Sequence, residues 1–276
     1  MLHADAEARV LAAIDLESLL DLLTKLVEIP SIDGRETEAQ RCMAEAMDHL
    51  GLAVDLWEID FDRLSEHPDY SSETPREQGL GLVGSLGESG GGRDLIFNGH
   101  IDVVPPGNLD DWTVPPWQGT RKEGRIWGRG ALDMKGGLCC AVFAAHAIRS
   151  AGIELDGRLM VESVIGEEDG GCGTLATALR GYRADGAVIP EPTELTVAPA
   201  QAGCCNFRLI VRGLSAHGCI RHEGVSALEK LWPLHRALLD FERRYNDAHR
   251  HPLFDAYDCP YPLSIGTVHA GDWASS

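Results

Sequence analysis

The strongest constraint on the fold is an alternation of short apolar runs and amphipathic stretches between residues 94 and 190. Asp94-Leu-Ile-Phe-Asn98, Arg158 to Ile165 and Gly186 to Pro190 read as buried-type strands. Helices are predicted between them, over Lys135 to Ser150 and Thr174 to Arg180. Strands alternating with helices predict an α/β fold with a largely parallel sheet flanked by helices.

Upstream, Leu16, Leu19, Leu20, Leu22, Leu23, Leu26 and Val27 recur at helical spacing, so a helix is expected from Asp15 to Val27, stopped by Pro30. A second amphipathic helix is expected from Glu36 to Leu50, with Gly51 as its C-terminal signal. Val54 to Ile59 reads as a strand. The polar stretch Asp62 to Gly92 reads as loop with one short strand near Leu80 to Leu86, and Val104 to Gly119 as a Pro- and Trp-rich loop. Near Ala200 to Gly203 the pattern changes. Strands at Asn206 to Arg212 and Leu263 to Val268 then flank a long helix from Ser226 to Tyr245, which places two domains at 1–201 and 202–276.

Composition narrows the function. Hydrophobic residues make up 44% and charged residues 24% of the 276, which excludes disorder, collagen-like repeats and coiled coil. A net charge of −19 repels phosphate backbones and anionic lipid, so neither nucleic acid nor a membrane is an expected partner. Asp5, Glu7, Asp15, Glu17 and Asp21 interrupt the first thirty residues, unlike a signal peptide, and no run approaches the roughly 20 apolar residues of a membrane span. The eight cysteines, including the adjacent pairs Cys139-Cys140 and Cys204-Cys205, lack the spacing of a disulfide framework or zinc ribbon. Free, buried thiols in a reducing cytoplasm are expected.

Four clusters follow the predicted strands: His100-Ile-Asp102, Asp133, Glu167-Glu168 and Glu191. In open α/β sheets the crevice beyond the carboxyl ends of the strands gathers such residues, and one imidazole among several carboxylates suggests a metal site. Each cluster also has an ordinary reading. His100-Ile-Asp102 could be a loop-end histidine beside a cap, with Asp102 alternatively fixing the imidazole tautomer. Asp133 could cap the helix starting at Lys135, Glu167-Glu168 could be a solvated pair, and Glu191 could be plain loop.

Taken in order, Asn98-Gly-His-Ile-Asp-Val-Val-Pro105, Trp127-Gly-Arg-Gly-Ala-Leu-Asp-Met-Lys-Gly-Gly137, Gly166-Glu-Glu-Asp169 and Glu191-Pro-Thr193 resemble the motifs of the co-catalytic zinc amidohydrolases. That family includes acetylornithine deacetylase, succinyl-diaminopimelate desuccinylase, aminoacylase-1 and carboxypeptidase G, and the first two mark the most similar branch. The resemblance covers about Leu19 to Ser276. It implies two divalent metal ions, zinc foremost with cobalt or manganese as alternatives, and hydrolysis of an amide in an N-acyl amino acid or short peptide. It also implies a lid and dimerisation domain of α+β type inserted into the catalytic domain, and hence a homodimer.

By the same resemblance His100 and Glu191 match the ligands of one metal, Asp133 the bridging carboxylate and Glu168 a ligand of the second. Asp102 matches the carboxylate behind His100, and the Asp133-Met134 peptide matches a position that is cis without proline. Glu167 matches the general base that takes a proton from the attacking water and passes it to the leaving amine. His217, in Val211-Arg-Gly-Leu-Ser-Ala-His217-Gly, matches a histidine that reaches the other subunit's site and stabilises the oxyanion. The family has a further histidine ligand near its C-terminus, and none of His222, His235, His249, His251 and His269 matches it. The chain is therefore expected to be C-terminally truncated, its lid incomplete, with those five histidines on the surface or in packing.

Overall fold

The computed structural model describes residues 2–198, 201, 203–271 and 273. The chain divides into two compact units, Met1–Thr196 and Val197–Ser276.

The first unit runs α1 (Leu2–Ala12), α2 (Leu16–Glu28), α3 (Thr37–His49), β1 (Ala53–Glu58), the single-turn α4 (Phe61–Leu64), β2 (Leu80–Leu86), β3 (Leu95–His100), β4 (Thr120–Lys122), β5 (Arg125–Trp127), α5 (Lys135–Ser150), β6 (Leu159–Val164), α6 (Cys172–Arg180) and β7 (Gly186–Val188). In α2 the Asp15 carboxylate caps the helix by accepting the Ser18 N–H at 3.0 Å, and Leu19, Leu23, Leu26 and Val27 fall on its buried face. Each fully buried aliphatic side chain is worth about 1.5–3 kcal/mol, and this packing holds a helix too short to persist alone in water. Helix α1 and the β4–β5 hairpin were not foreseen from the periodicity. The hairpin turns on Glu123 and Gly124, both at positive φ (55° and 70°), as a tight two-residue turn requires.

The main sheet has the order β1-β2-β6-β3-β7. The α/β class holds, with parallel pairing where β3 lies between β6 and β7, while β1 and β2 join antiparallel at the other side. Strand β6 is buried at every position, as a central strand with both faces covered must be. On one face, α2, α3 and α5 bring Leu26, Val27, Met43, Met47, Leu138 and Val142 against Leu82 and Val161. On the other, Val83, Ile96 and Met160 form a smaller cluster with Trp57, Tyr182 and Ala184, and the switch from Leu82 to Val83 follows the two-residue period of a strand. Buried Gln40 ties α3 to the sheet, donating to the carbonyls of Leu80 (3.0 Å) and Ser163 (2.8 Å) and accepting from the Ser163 hydroxyl (2.7 Å).

The second unit is dominated by α7 (Ala227–Ala248), capped by the Ser226 hydroxyl, which accepts the Glu229 N–H at 3.2 Å. Neither strand expected there, Asn206 to Arg212 or Leu263 to Val268, is formed. Among the described residues the strand-type pairing of this unit is confined to an isolated bridge between Leu214 and Val225. A strand needs a partner to take its N–H and C=O groups, and Phe207, Leu209 and Ile210 are 62%, 48% and 71% exposed with no neighbouring strand beside them. The cysteines are all free, but only Cys42, Cys139 and Cys172 are buried, so the expectation of buried thiols fails for the other five. Among the described residues no helix is long and apolar enough to cross a membrane.

Candidate metal centre

Parallel strands align their carboxyl ends on one edge, so the segments that leave β3, β6 and β7 emerge together. His100 is the last residue of β3, opposite Val164 at the end of β6. The chain beyond it is held by the Ile101 N–H on the Val164 carbonyl (2.9 Å), by the Val103 N–H on the Ser31 carbonyl (3.0 Å) and by the Ser31 hydroxyl on the Ile101 carbonyl (2.6 Å). Glu167 and Glu168 follow β6, and Glu191 follows β7. Asp133 precedes α5, but it does not cap that helix, whose N-cap position is Met134 without a side-chain bond. The Asp133–Met134 peptide is cis.

One glycine makes the approach of Glu191 possible. A Cβ on Gly137, in the first turn of α5, would stand 2.0 Å from the Pro190 carbonyl oxygen. Only a residue without a side chain lets the β7 exit cross α5 there, and this crossing carries Glu191 to the site.

His100 is 1% exposed and is the hub of the cluster. Its Nδ1 donates to the Asp102 carbonyl at 2.9 Å. A carbonyl only accepts, so in the neutral ring the proton sits on Nδ1 and the Nε2 lone pair faces outward. Around Nε2 lie Asp133 Oδ1 at 3.1 Å, Glu191 Oε1 at 3.6 Å and Glu167 Oε2 at 4.0 Å. Donor atoms of His100, Asp133 and Glu168 all lie within 4.8 Å of one another, as do those of His100, Glu167 and Glu191. The resemblance expects Glu191 beside Asp133 and Glu167 outside the ligands, whereas here Glu167 lies as close to His100 and Glu191 as a ligand would. The buried Asp102 carboxylate differs from expectation too. Its Oδ1 is 3.8 Å from Nδ1 and without a hydrogen bond, and its Oδ2 accepts the Glu168 N–H at 3.1 Å. Asp102 thus orients the imidazole through its main chain and the Glu168 loop through its side chain.

The electrostatics are those of crowded like charges. Burial, and then Asp133, Glu167 and Glu168, push the Glu191 carboxyl up to about 7 against the pull of His100. Burial and then Asp133 raise Glu168, and burial raises Asp102 against His100. For His100, burial disfavours the cation, but Asp102, Glu191 and Glu167 outweigh it and lift the imidazole above its ordinary value. The only buried cations among the described residues are held elsewhere: the Lys135 ammonium donates to the carbonyls of Leu26 (2.7 Å) and Ile29 (3.0 Å), and Arg76 pairs with Glu36 and Asp169. One imidazole nitrogen and four carboxylates converging without a protein cation suit a pair of divalent ions. Asp133, Glu167 and Glu191 have side chains 56%, 48% and 31% exposed, so the cluster opens to solvent.

The remaining expected residue, His217, lies in the second unit, exposed, its Nδ1 accepting the Cys219 N–H at 3.2 Å. His222, His249, His251 and His269 are exposed, His235 is half-buried, and none enters a donor group among the described residues. Sequence reasoning missed the buried ion pairs around Arg76, Glu36 and Asp169. Arg76 falls in a stretch with no periodic signal, and only the position of Asp169 next to Glu168 hinted at a role.

The chain is 31% identical over 250 residues, 86% of its length, to N-formyl-4-amino-5-aminomethyl-2-methylpyrimidine deformylase of Bacillus subtilis (strain 168), and covers 55% of that protein. It is 26% identical over 234 residues, 84% of its length, to a probable succinyl-diaminopimelate desuccinylase of Staphylococcus aureus (strain Mu50 / ATCC 700699), covering 53% of it. The chain thus spans about half the length of these relatives. Among solved structures, the di-peptidase Dug1p from Saccharomyces cerevisiae aligns with a TM-score of 0.50 at 20% identity, over 60% of this chain and 36% of that one, a likeness of fold. The model of peptidase family M20/M25/M40 matches residues 96–258, from the middle of β3 through all the clustered acidic residues, and the chain belongs to that family.

Proposed function

We propose that this chain carries the hydrolytic site of an enzyme that cleaves the amide bond of a small N-acyl compound with two divalent metal ions. The observation that supports it most is the ring of Asp133, Glu167 and Glu191 around His100 Nε2, with Glu168 in reach, where the carboxyl ends of β3, β6 and β7 meet the segment before α5. In this reading His100 and Glu191 would hold one ion and Glu168 the second, with the Asp133 carboxylate available to both. Zinc is the resident metal, with cobalt or manganese able to replace it, since imidazole and carboxylate donors accept all three. When bound, such ions act as Lewis acids toward the scissile carbonyl and the attacking water.

The chain's own residues supply the rest. The Asp102 carbonyl fixes the tautomer and rotation of His100. Glu167, half-exposed beside the donor ring, takes the proton of the attacking water and delivers it to the leaving amine. A carboxylate and a free amine result. The second unit acts as lid and dimerisation domain, and His217 from a second copy steadies the charge on the carbonyl oxygen of the tetrahedral intermediate. A deformylase and a desuccinylase among the relatives support an N-acyl amine as substrate.

The test is a panel of N-formyl, N-acetyl and N-succinyl amino compounds and plain dipeptides, assayed for free amine before chelation, after it, and after re-addition of zinc or cobalt. Metal-dependent release from one N-acyl class is expected. Release from dipeptides alone would make the chain an exopeptidase, and no metal-dependent release from any would overturn the reading.

A further inference from the structure

Against the loop that bears Glu167 and Glu168 packs a buried group of charges that the proposed chemistry does not use. The Arg76 side chain is fully buried. One arm of its guanidinium, Nη1, donates to Asp169 Oδ2 at 2.6 Å and to the Ser72 hydroxyl at 2.8 Å. The other arm, Nη2, donates to Glu36 Oε1 at 2.8 Å and lies 3.7 Å from Asp33 Oδ1. Glu36 sits at the start of α3, where its Oε1 also accepts the Gly34 N–H at 2.8 Å. Asp169 is gripped further, its Oδ2 accepting the Thr74 N–H at 3.0 Å and its carbonyl the Glu73 N–H at 3.0 Å. A Cβ on Gly166 would stand 2.9 Å from Arg76 Nη2, so the guanidinium passes directly against the loop that carries Glu167 and Glu168.

We propose that Arg76 is a positioning residue that sets the Glu167–Glu168 loop for metal binding and proton transfer, an inference that rests on the function proposed above. Asp169 is the inward anchor of the loop, and its neighbours Glu167 and Glu168 face the donor ring. The loop is thus pinned at two consecutive residues, at the Glu168 N–H by Asp102 and at the Asp169 carboxylate by Arg76. A buried ionic cluster is a poor way to gain stability, because desolvation offsets most of the attraction and apolar packing serves as well. It is a good way to fix a geometry, since a planar guanidinium reaches two carboxylates at set angles. Misplacing a reacting group by about 1 Å costs on the order of 10²-fold in rate, so a loop bearing both a ligand and a base needs such fixing.

The test compares the parent with Arg76→Lys, whose single ammonium cannot span both carboxylates, and with Asp169→Asn, which leaves the Glu36 half intact should the lysine variant fail to fold. Cobalt(II) alone is titrated and followed by its visible absorption, with Glu168→Gln as reference, and hydrogen exchange is read across the metal-free chain. Cobalt affinity is expected to fall at least tenfold in Arg76→Lys, with faster exchange confined to residues 72–76 and 166–171. The exchange of α2 and α5 should stay at parent values, while the melting temperature falls because one buried carboxylate loses its partner. Unchanged affinity and loop exchange would overturn the proposal, as would weaker binding accompanied by faster exchange throughout the unit, the mark of a merely structural role. A parent that binds no cobalt sinks the metal reading instead, and the exchange pattern then decides whether Arg76 positions the loop.

Discussion

His100 Nε2 and Asp133 Oδ1 stand 3.1 Å apart although they are 33 positions apart in the chain, and both donor groups of the site share that imidazole. Removal of His100 should therefore cost at least the ion it shares with Glu191. Metal analysis of His100→Ala is expected to show clear loss of zinc or cobalt relative to the parent at equal dialysis. Two equivalents held as tightly as before would refute the ligand assignment.

Glu167→Gln keeps the shape of the side chain but cannot accept a proton. It should retain metal and lose turnover by roughly 10²- to 10⁴-fold, about 3–5 kcal/mol of barrier. Metal content and initial rate measured on one preparation check this. Because Glu167 lies only 4.0 Å from His100 Nε2, a variant that loses metal along with activity would move Glu167 from base to ligand.

Gly137→Ala separates helix propensity from the crossing at Pro190. In an open position alanine would stabilise α5 by up to about 1 kcal/mol. Here its Cβ would strike the Pro190 carbonyl, so Glu191 should shift and cobalt affinity should drop about tenfold or more while helix content by circular dichroism stays the same. A raised melting temperature with unaltered affinity would show that nothing crosses α5 at this point.

Stability of the metal-free protein should fall as pH rises. Glu191 is raised to about 7, by burial first and then by Asp133, and Asp33 is raised to about 7, by burial and then by Asp102. His100 is raised as well. Each group holds its proton to a higher pH in the folded state than in the unfolded chain, so between about pH 5 and 7 the folded state binds more protons and loses stability with rising pH. Melting in the presence of a chelator should come at a lower temperature at pH 7.5 than at pH 5.5, and added zinc should reverse the difference at pH 7.5 by taking the place of the protons. Higher metal-free stability at pH 7.5 would show that these acids are not crowded in solution.

What the sequence determined by itself was local. The leucine spacing of α2, the long helix α7 and the alternation of helices with β3, β6 and β7 depend on residues a few positions apart, so their pattern is visible without a partner. His100, Glu167, Glu168 and Glu191 were legible as candidates, because each ends or follows a strand of the parallel part of the sheet, whereas Asp133 precedes α5. Tertiary structure alone decided the partners. Residues 207–212 have the look of a strand yet join no sheet among the described residues, and β1 and β2 join antiparallel, because backbone pairing is satisfied only across space. It also decided that Asp102 meets His100 by its carbonyl, since the direction of the chain just past β3 depends on Val164 and Ser31. Arg76 shows the same limit: an arginine in an aperiodic stretch reads as surface until Asp169, 93 positions away, is brought beside it, for a buried charge is tolerated only where the fold delivers its partners.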